Sequence, residues 1–243
     1  MPQPPKQPPK PYAPAPGEVA SEARRAGFDL AKPQAELLSR YLTLLLKWNR
    51  AMNLVGRATW PEVFRDLAAD SLHLAAFLET LALPESPLTL DLGAGAGLPG
   101  IPLRCLWGAG EYVLVELREK RAVFLRQAVG ELQQAGGLPG VRVFHGRAEV
   151  VGEELRRLRL KPRADLVVSR AFMPWPKLLP LAAGLLAPGG RLVVLANDPP
   201  PSAGQLAEAG AESGCGCVVE AVRSYPAGSG KARYFWSLIP AMA

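Results

Sequence analysis

Residues 88–102 read Leu-Thr-Leu-Asp-Leu-Gly-Ala-Gly-Ala-Gly-Leu-Pro-Gly-Ile-Pro, an apolar run that opens into a chain of glycines. Glycines let the backbone turn sharply and let a ligand approach with no Cβ in the way. At the carboxyl end of a first strand, such a turn is where open α/β sheets bind ligands. Gly95-x-Gly97-x-x-Gly100 also meets the dinucleotide fingerprint, so a nicotinamide dinucleotide stays open at this point. Asp91 weighs against it. Two residues before Gly93, its carboxylate would face whatever the glycines cradle, and a pyrophosphate there would meet a like charge. Pro99 and Pro102 also interrupt the helix start whose N–H groups a pyrophosphate needs. S-adenosylmethionine brings an ammonium and a sulfonium, and a nearby carboxylate favours both.

Three further positions fit an adenosine cofactor. Glu116 ends the next apolar run, 23 residues beyond Gly93, where an acid can accept hydrogen bonds from both ribose hydroxyls. NAD enzymes share that feature, so it does not choose between the cofactors. Gly146-Arg-Ala148-Glu149 follows the third run, in the place of an adenine-contacting loop. Ser169-Arg170-Ala171-Phe172 follows the fourth, where a transferred methyl would face its acceptor.

The elements that must position these residues are legible as pattern. Strands are expected at 88–93, 111–116, 141–145, 164–169 and 191–196. Helices fall near 100–106, 119–135, 148–159, 174–186 and 202–213. Strand–helix alternation with continuously apolar strands implies a Rossmann-like α/β fold, a mostly parallel sheet covered on both faces. Cys217–Ser224 and Arg233–Pro240 have no helix between them, so a closing antiparallel hairpin is expected. Ahead of this domain (87–243), residues 18–86 read as a helical cap forming one unit with it. Leu38, Tyr41, Leu42, Leu45 and Trp48 make an amphipathic stripe at three- and four-residue spacing. Thr59-Trp-Pro-Glu62 is a helix start with proline in its first turn. Residues 1–17 are saturated with proline and read as a mobile tail.

Composition sets bounds. Of 243 residues, 49% are apolar, enough for a sizeable core. A net charge of +6 is compatible with a nucleic-acid partner without requiring one. Three cysteines give no disulfide framework, and Cys215 and Cys217 are too closely spaced for a zinc knuckle. No apolar run is long enough to span a membrane, and no signal peptide opens the chain. A cytoplasmic, metal-free monomer is expected.

Taken together, Trp48-Asn49-x-x-Met52-Asn53-Leu54, Asp70-Ser71-Leu72, the Asp91–Pro102 loop and Ser169-Arg-Ala-Phe172 give a more specific signal. The combination resembles the bacterial 16S ribosomal RNA guanine-N7 methyltransferases, from about Phe28 to the C-terminus. The resemblance implies S-adenosylmethionine as cofactor and methylation at N7 of guanine 527 of 16S rRNA (usual rRNA numbering). The substrate would be the small ribosomal subunit or an assembly intermediate. It also implies cofactor contacts at Gly93, Gly95, Leu98, Glu116, Ala148, Glu149 and Arg170, beside Asp91. Arg233 matches an arginine used on RNA or at the active site, so Arg170 and Arg233 are the candidates for handling the guanine. The alternative acceptor is another RNA or a small molecule, which composition alone does not exclude and the resemblance does. An NAD-dependent oxidoreductase is the more distant alternative, and it lacks residues for a separate substrate domain. N7 of guanine carries a lone pair and no proton, which agrees with the lack of an obvious base beside the loop. His73 and His145 are the only histidines, and His145, at a strand end near the cofactor, reads as structural.

Overall fold

Each of the five apolar runs becomes a parallel strand: β1 (Leu88–Leu92), β2 (Glu111–Glu116), β3 (Val141–His145), β4 (Ala164–Arg170) and β5 (Leu186–Ala196). The computed structural model describes residues 13–57, 59–228 and 230–240. The expected mobile tail therefore lies, over residues 1–12, outside the described residues. Two antiparallel strands, β6 (Cys217–Pro226) and β7 (Ala232–Pro240), complete a seven-stranded sheet of order β3-β2-β1-β4-β5-β7-β6. The expected hairpin is present, with β7 pairing antiparallel to both β5 and β6.

Alternation along the strands divides the core. Tyr112, Leu114, Leu166, Val168, Val193 and Leu195 point to one face, Val113, Val115, Val167, Leu192 and Val194 to the other. The second face is covered by α7 (Val151–Arg157), α8 (Trp175–Leu185) and α9 (Ala203–Ser213). The first is covered by α5 (Gly100–Leu106) and α6 (Glu119–Gln134), and beyond them by α1 (Pro16–Arg25), α2 (Lys32–Met52), α3 (Trp60–Val63) and α4 (Ala69–Leu78). The N-terminal helices thus share one hydrophobic cluster with the sheet. Of the expected stripe on α2, Leu38, Tyr41, Leu42 and Leu45 are fully buried, whereas Trp48 is half-buried against Phe124.

Helix starts follow one chemistry. The backbone N–H groups of Ala15, Ala31, Thr59 and Ser202 donate to the side chains of Glu18, Gln34, Glu62 and Gln205, three residues on. This moves the first helix start to Pro16, because Glu18 reaches back to Ala15. Two other boundaries differ from the sequence pattern. The segment after β3 opens as a 3-10 turn at Ala148–Val150 before α7 begins. β5 begins at Leu186, not 191, because Leu186 pairs with Ala164 ahead of a register shift.

Candidate cofactor cleft and arginine cluster

Strand order reverses at β1, which pairs with β2 on one side and β4 on the other. The crevice outside the carboxyl ends of those strands is the ligand position of open α/β sheets. The glycine loop folds over it: Gly93 and Ala94 both donate N–H to the carbonyl of Val115, each at 3.0 Å. Gly93, Gly95 and Gly97 all adopt positive φ, at 71°, 58° and 80°. At Gly93 a Cβ would come within 2.6 Å of the Phe172 ring, so the loops after β1 and β4 meet face to face.

The cap holds this loop from below. Tyr41 on α2 donates its hydroxyl to the carbonyl of Ala96 at 2.8 Å, and Ser71 on α4 donates to Pro99 at 2.9 Å. Both contacts are buried; the Pro99 carbonyl also accepts the Leu103 N–H at 3.0 Å, so Ser71 adds a second bond there. The Leu98–Pro99 peptide bond is cis.

Asp91 is placed differently from the sequence reading, which aimed its carboxylate at the loop's mouth. It is 1% exposed and accepts hydrogen bonds from the Tyr112 hydroxyl at 3.2 Å and from the backbone N–H of Gly100. Gly100 opens α5, so a carboxylate already sits at the helix start where a pyrophosphate would bind. Burial pushes the Asp91 carboxyl up to about 7, against the lowering pull of Tyr112, the Gly100 N–H and the Arg170 charge. A side chain on Gly100 would meet Asp91 Oδ2 and Leu114, which accounts for glycine there.

Glu116 is 4% exposed at the end of β2. Its Oε2 accepts the Gly95 N–H at 2.8 Å and its Oε1 the Arg118 N–H at 2.7 Å. A carboxylate offers about four lone-pair sites, so each oxygen keeps one for a ligand hydroxyl. A cleft of about 360 Å³ opens above it. Gly93, Glu116, Ala148 and Glu149 line this cleft, and Ala171 and Phe172 form its far wall. The cleft also takes in Arg147, from the expected adenine-contacting loop, and Leu117, Arg118 and Arg121, which the sequence pattern does not single out. Leu117 is 58% exposed, an apolar side chain left open beside an acid at a strand end, which shows only in the folded chain. Leu98 is not on this wall; it packs half-buried against the main core.

Arg170 and Arg233 stand outside the cleft and are brought together by a residue the sequence reading quoted without a role. Asp70, on α4 and 2% exposed, forms an ion pair with Arg170 Nη2 at 3.0 Å and accepts a hydrogen bond from Arg233 Nη1 at 2.6 Å. Tyr225 donates its hydroxyl to the same carboxylate at 2.9 Å. The cluster adjoins the cleft through the chain itself, since Arg170 is followed directly by Ala171 and Phe172. His73 stacks on Tyr225 with ring centroids 4.3 Å apart. His145 is exposed at the end of β3, 3.2 Å from the Leu117 carbonyl.

Among the described residues no group of acids, histidines and cysteines could hold a metal, and the three cysteines are free. No helix among them is long and apolar enough to cross a membrane.

Residues 34–203 match the model of a family described as rRNA small subunit methyltransferase G. The chain is similar to the ribosomal RNA small subunit methyltransferase G of Nitratidesulfovibrio vulgaris, 52% identical over 92% of this chain and 93% of that one. The protein of the same name from Lawsonia intracellularis is 44% identical over 75% and 81%. Among solved structures, a SAM-dependent methyltransferase from Aquifex aeolicus superposes with a TM-score of 0.48 at 15% identity, over 74% of this chain and 93% of that one.

Proposed function

The chain belongs to the rRNA small subunit methyltransferase G family, and from that premise we propose that it moves a methyl group from S-adenosylmethionine to N7 of guanine 527 of 16S rRNA. The observation that carries this reading is the pairing of two sites across β1 and β4. A buried carboxylate, Glu116, lies under a glycine-lined cleft, and an arginine pair adjoins its far wall through Arg170, which directly precedes Ala171.

The residues fit the cofactor. Glu116 keeps lone pairs for the ribose hydroxyls, and Ala148 and Glu149 close the side where an adenine would lie. Gly93 lines the cleft and Gly95 ties the loop to Glu116 through its N–H, with Asp91 bracing the loop from beneath. S-adenosylmethionine supplies an electrophilic methyl on a sulfonium. Guanine N7 offers a lone pair without a proton, so no side chain has to act as base. What the chain contributes is alignment. Holding two reactants in line is worth up to ~7–11 kcal/mol in favourable cases. Arg170 and Arg233 are the groups that hold the acceptor, because a guanidinium makes paired hydrogen bonds with the O6/N7 edge of guanine or with phosphate. Arg118, Arg121 and Arg147 at the cleft's rim add positive charge facing the RNA backbone.

The substrate is the small ribosomal subunit or its assembly intermediate, met in the cytoplasm by a monomer. Tritiated S-adenosylmethionine and small-subunit particles lacking the modification test this. The label is expected in a single guanine, at N7. Label in another base, or none, contradicts the reading.

A further inference from the structure

Asp70 gathers three side chains from three places in the chain: Arg170 at the end of β4, Tyr225 near the end of β6 and Arg233 at the start of β7. Its Oδ1 accepts the Tyr225 hydroxyl and Arg233 Nη1, and its Oδ2 accepts Arg233 Nη1 and lies 3.0 Å from Arg170 Nη2 as an ion pair. Two backbone carbonyls finish the fixing, with Leu67 taking Arg170 Nη1 at 3.2 Å and Asp66 taking Arg233 Nη1 at 2.6 Å. A guanidinium has five N–H donors, so neither arginine is used up. Among the described residues, the buried side-chain polar atoms without a partner are Thr89 Oγ1 and Arg104 Nε. The remaining N–H groups of Arg170 and Arg233 therefore reach solvent. Two cations placed this close would repel one another; one buried carboxylate offsets that repulsion and fixes both orientations.

We infer that Asp70 is a positioning residue for methyl transfer: it holds Arg170 and Arg233 side by side, so that their free donors meet the guanine edge or its phosphate in one geometry. The inference rests on the proposed rRNA methyltransferase reading. It separates two things arginines do for RNA. Attraction depends on net charge, and the cluster carries +1 as it stands. Alignment depends on where the forks point, and Asp70 sets that. Asp70→Asn raises the cluster to +2 while loosening it. Attraction and alignment then change in opposite directions, which a residue serving only to stabilise the fold would not produce.

The test compares wild type, Asp70→Asn and Tyr225→Phe on unmodified small-subunit particles, with active protein counted by S-adenosylhomocysteine titration. Asp70 does not line the cofactor cleft, so its Asn variant is expected to bind S-adenosylhomocysteine as wild type does. Its kcat is expected to fall roughly 100-fold, with KM for the particles unchanged or lower. Tyr225→Phe removes one hydrogen bond and no charge, and is expected to lower kcat about 2- to 10-fold. It decides the matter alone if the Asn variant does not fold. Wild-type kcat per binding site in the variants overturns the positioning role. So does a loss seen only as a higher KM. A wild-type protein that transfers no methyl overturns the function instead.

Discussion

Tyr112 donates its hydroxyl to the carboxylate of Asp91 at 3.2 Å, with both side chains buried beneath the glycine loop. The pair turns the Asp91 carboxyl away from the ligand to brace the loop's underside. Because burial pushes the Asp91 carboxyl up to about 7, the native protein holds a proton that the unfolded chain releases near pH 4. A carboxyl raised in this way makes the fold less stable as pH rises. The loss runs from about pH 4 to about pH 7 and is flat above, and it amounts to as much as about 4 kcal/mol. Asp91→Asn mimics the protonated form and escapes it. Urea midpoints of the two proteins, measured at pH 5 and pH 8, should differ in the variant's favour by more at pH 8.

Glu116 answers two backbone N–H groups and faces the cleft. Glutamine can accept at only one of its two terminal atoms, so Glu116→Gln sets an N–H against either Gly95 or Arg118. A hydrogen bond to a charged group is worth about 1.5–3 kcal/mol. Calorimetry should show S-adenosylhomocysteine affinity at least tenfold weaker, with little change in affinity for RNA.

Gly93 sits at φ 71° with the Phe172 ring over its α-carbon. Gly93→Ala must strain the backbone, at roughly 1–2 kcal/mol, and also push Phe172 away. Both loops that flank the cleft would move. The variant should lose cofactor binding more severely than it loses thermal stability, which titration and melting measured on one sample will separate.

Tyr41 reaches the Ala96 carbonyl from the cap. Tyr41→Phe leaves that buried carbonyl without its partner, at a cost of about 1–3 kcal/mol. Hydrogen exchange should report faster opening of residues 94–98, and S-adenosylhomocysteine binding should weaken with it. Unchanged exchange would show that the cap does not brace the loop.

The parallel strands were legible because each is a short apolar run closed by a turn, and the glycine loop because glycines recur where a strand ends. Gly93, Glu116, Ala148 and Glu149 come together on one cleft wall as their positions at strand ends implied. What pattern could not supply was direction and long-range pairing. The turn of Asp91 away from the cleft depends on Tyr112, 21 residues on. The meeting of Asp70 with Arg233 spans 163 residues, and that with Tyr225 spans 155. Neither local propensity nor periodicity carries such information. The early start of β5 is also a tertiary effect, since Leu186 extends because Ala164 offers it a partner.

Isothermal titration of the purified protein with S-adenosylhomocysteine and, separately, with NADH asks the central question most directly. The sulfur compound should bind one to one in wild type and fail in Gly93→Ala, and NADH should give no heat of binding to either. Binding of NADH with none of S-adenosylhomocysteine would contradict the cleft's assignment.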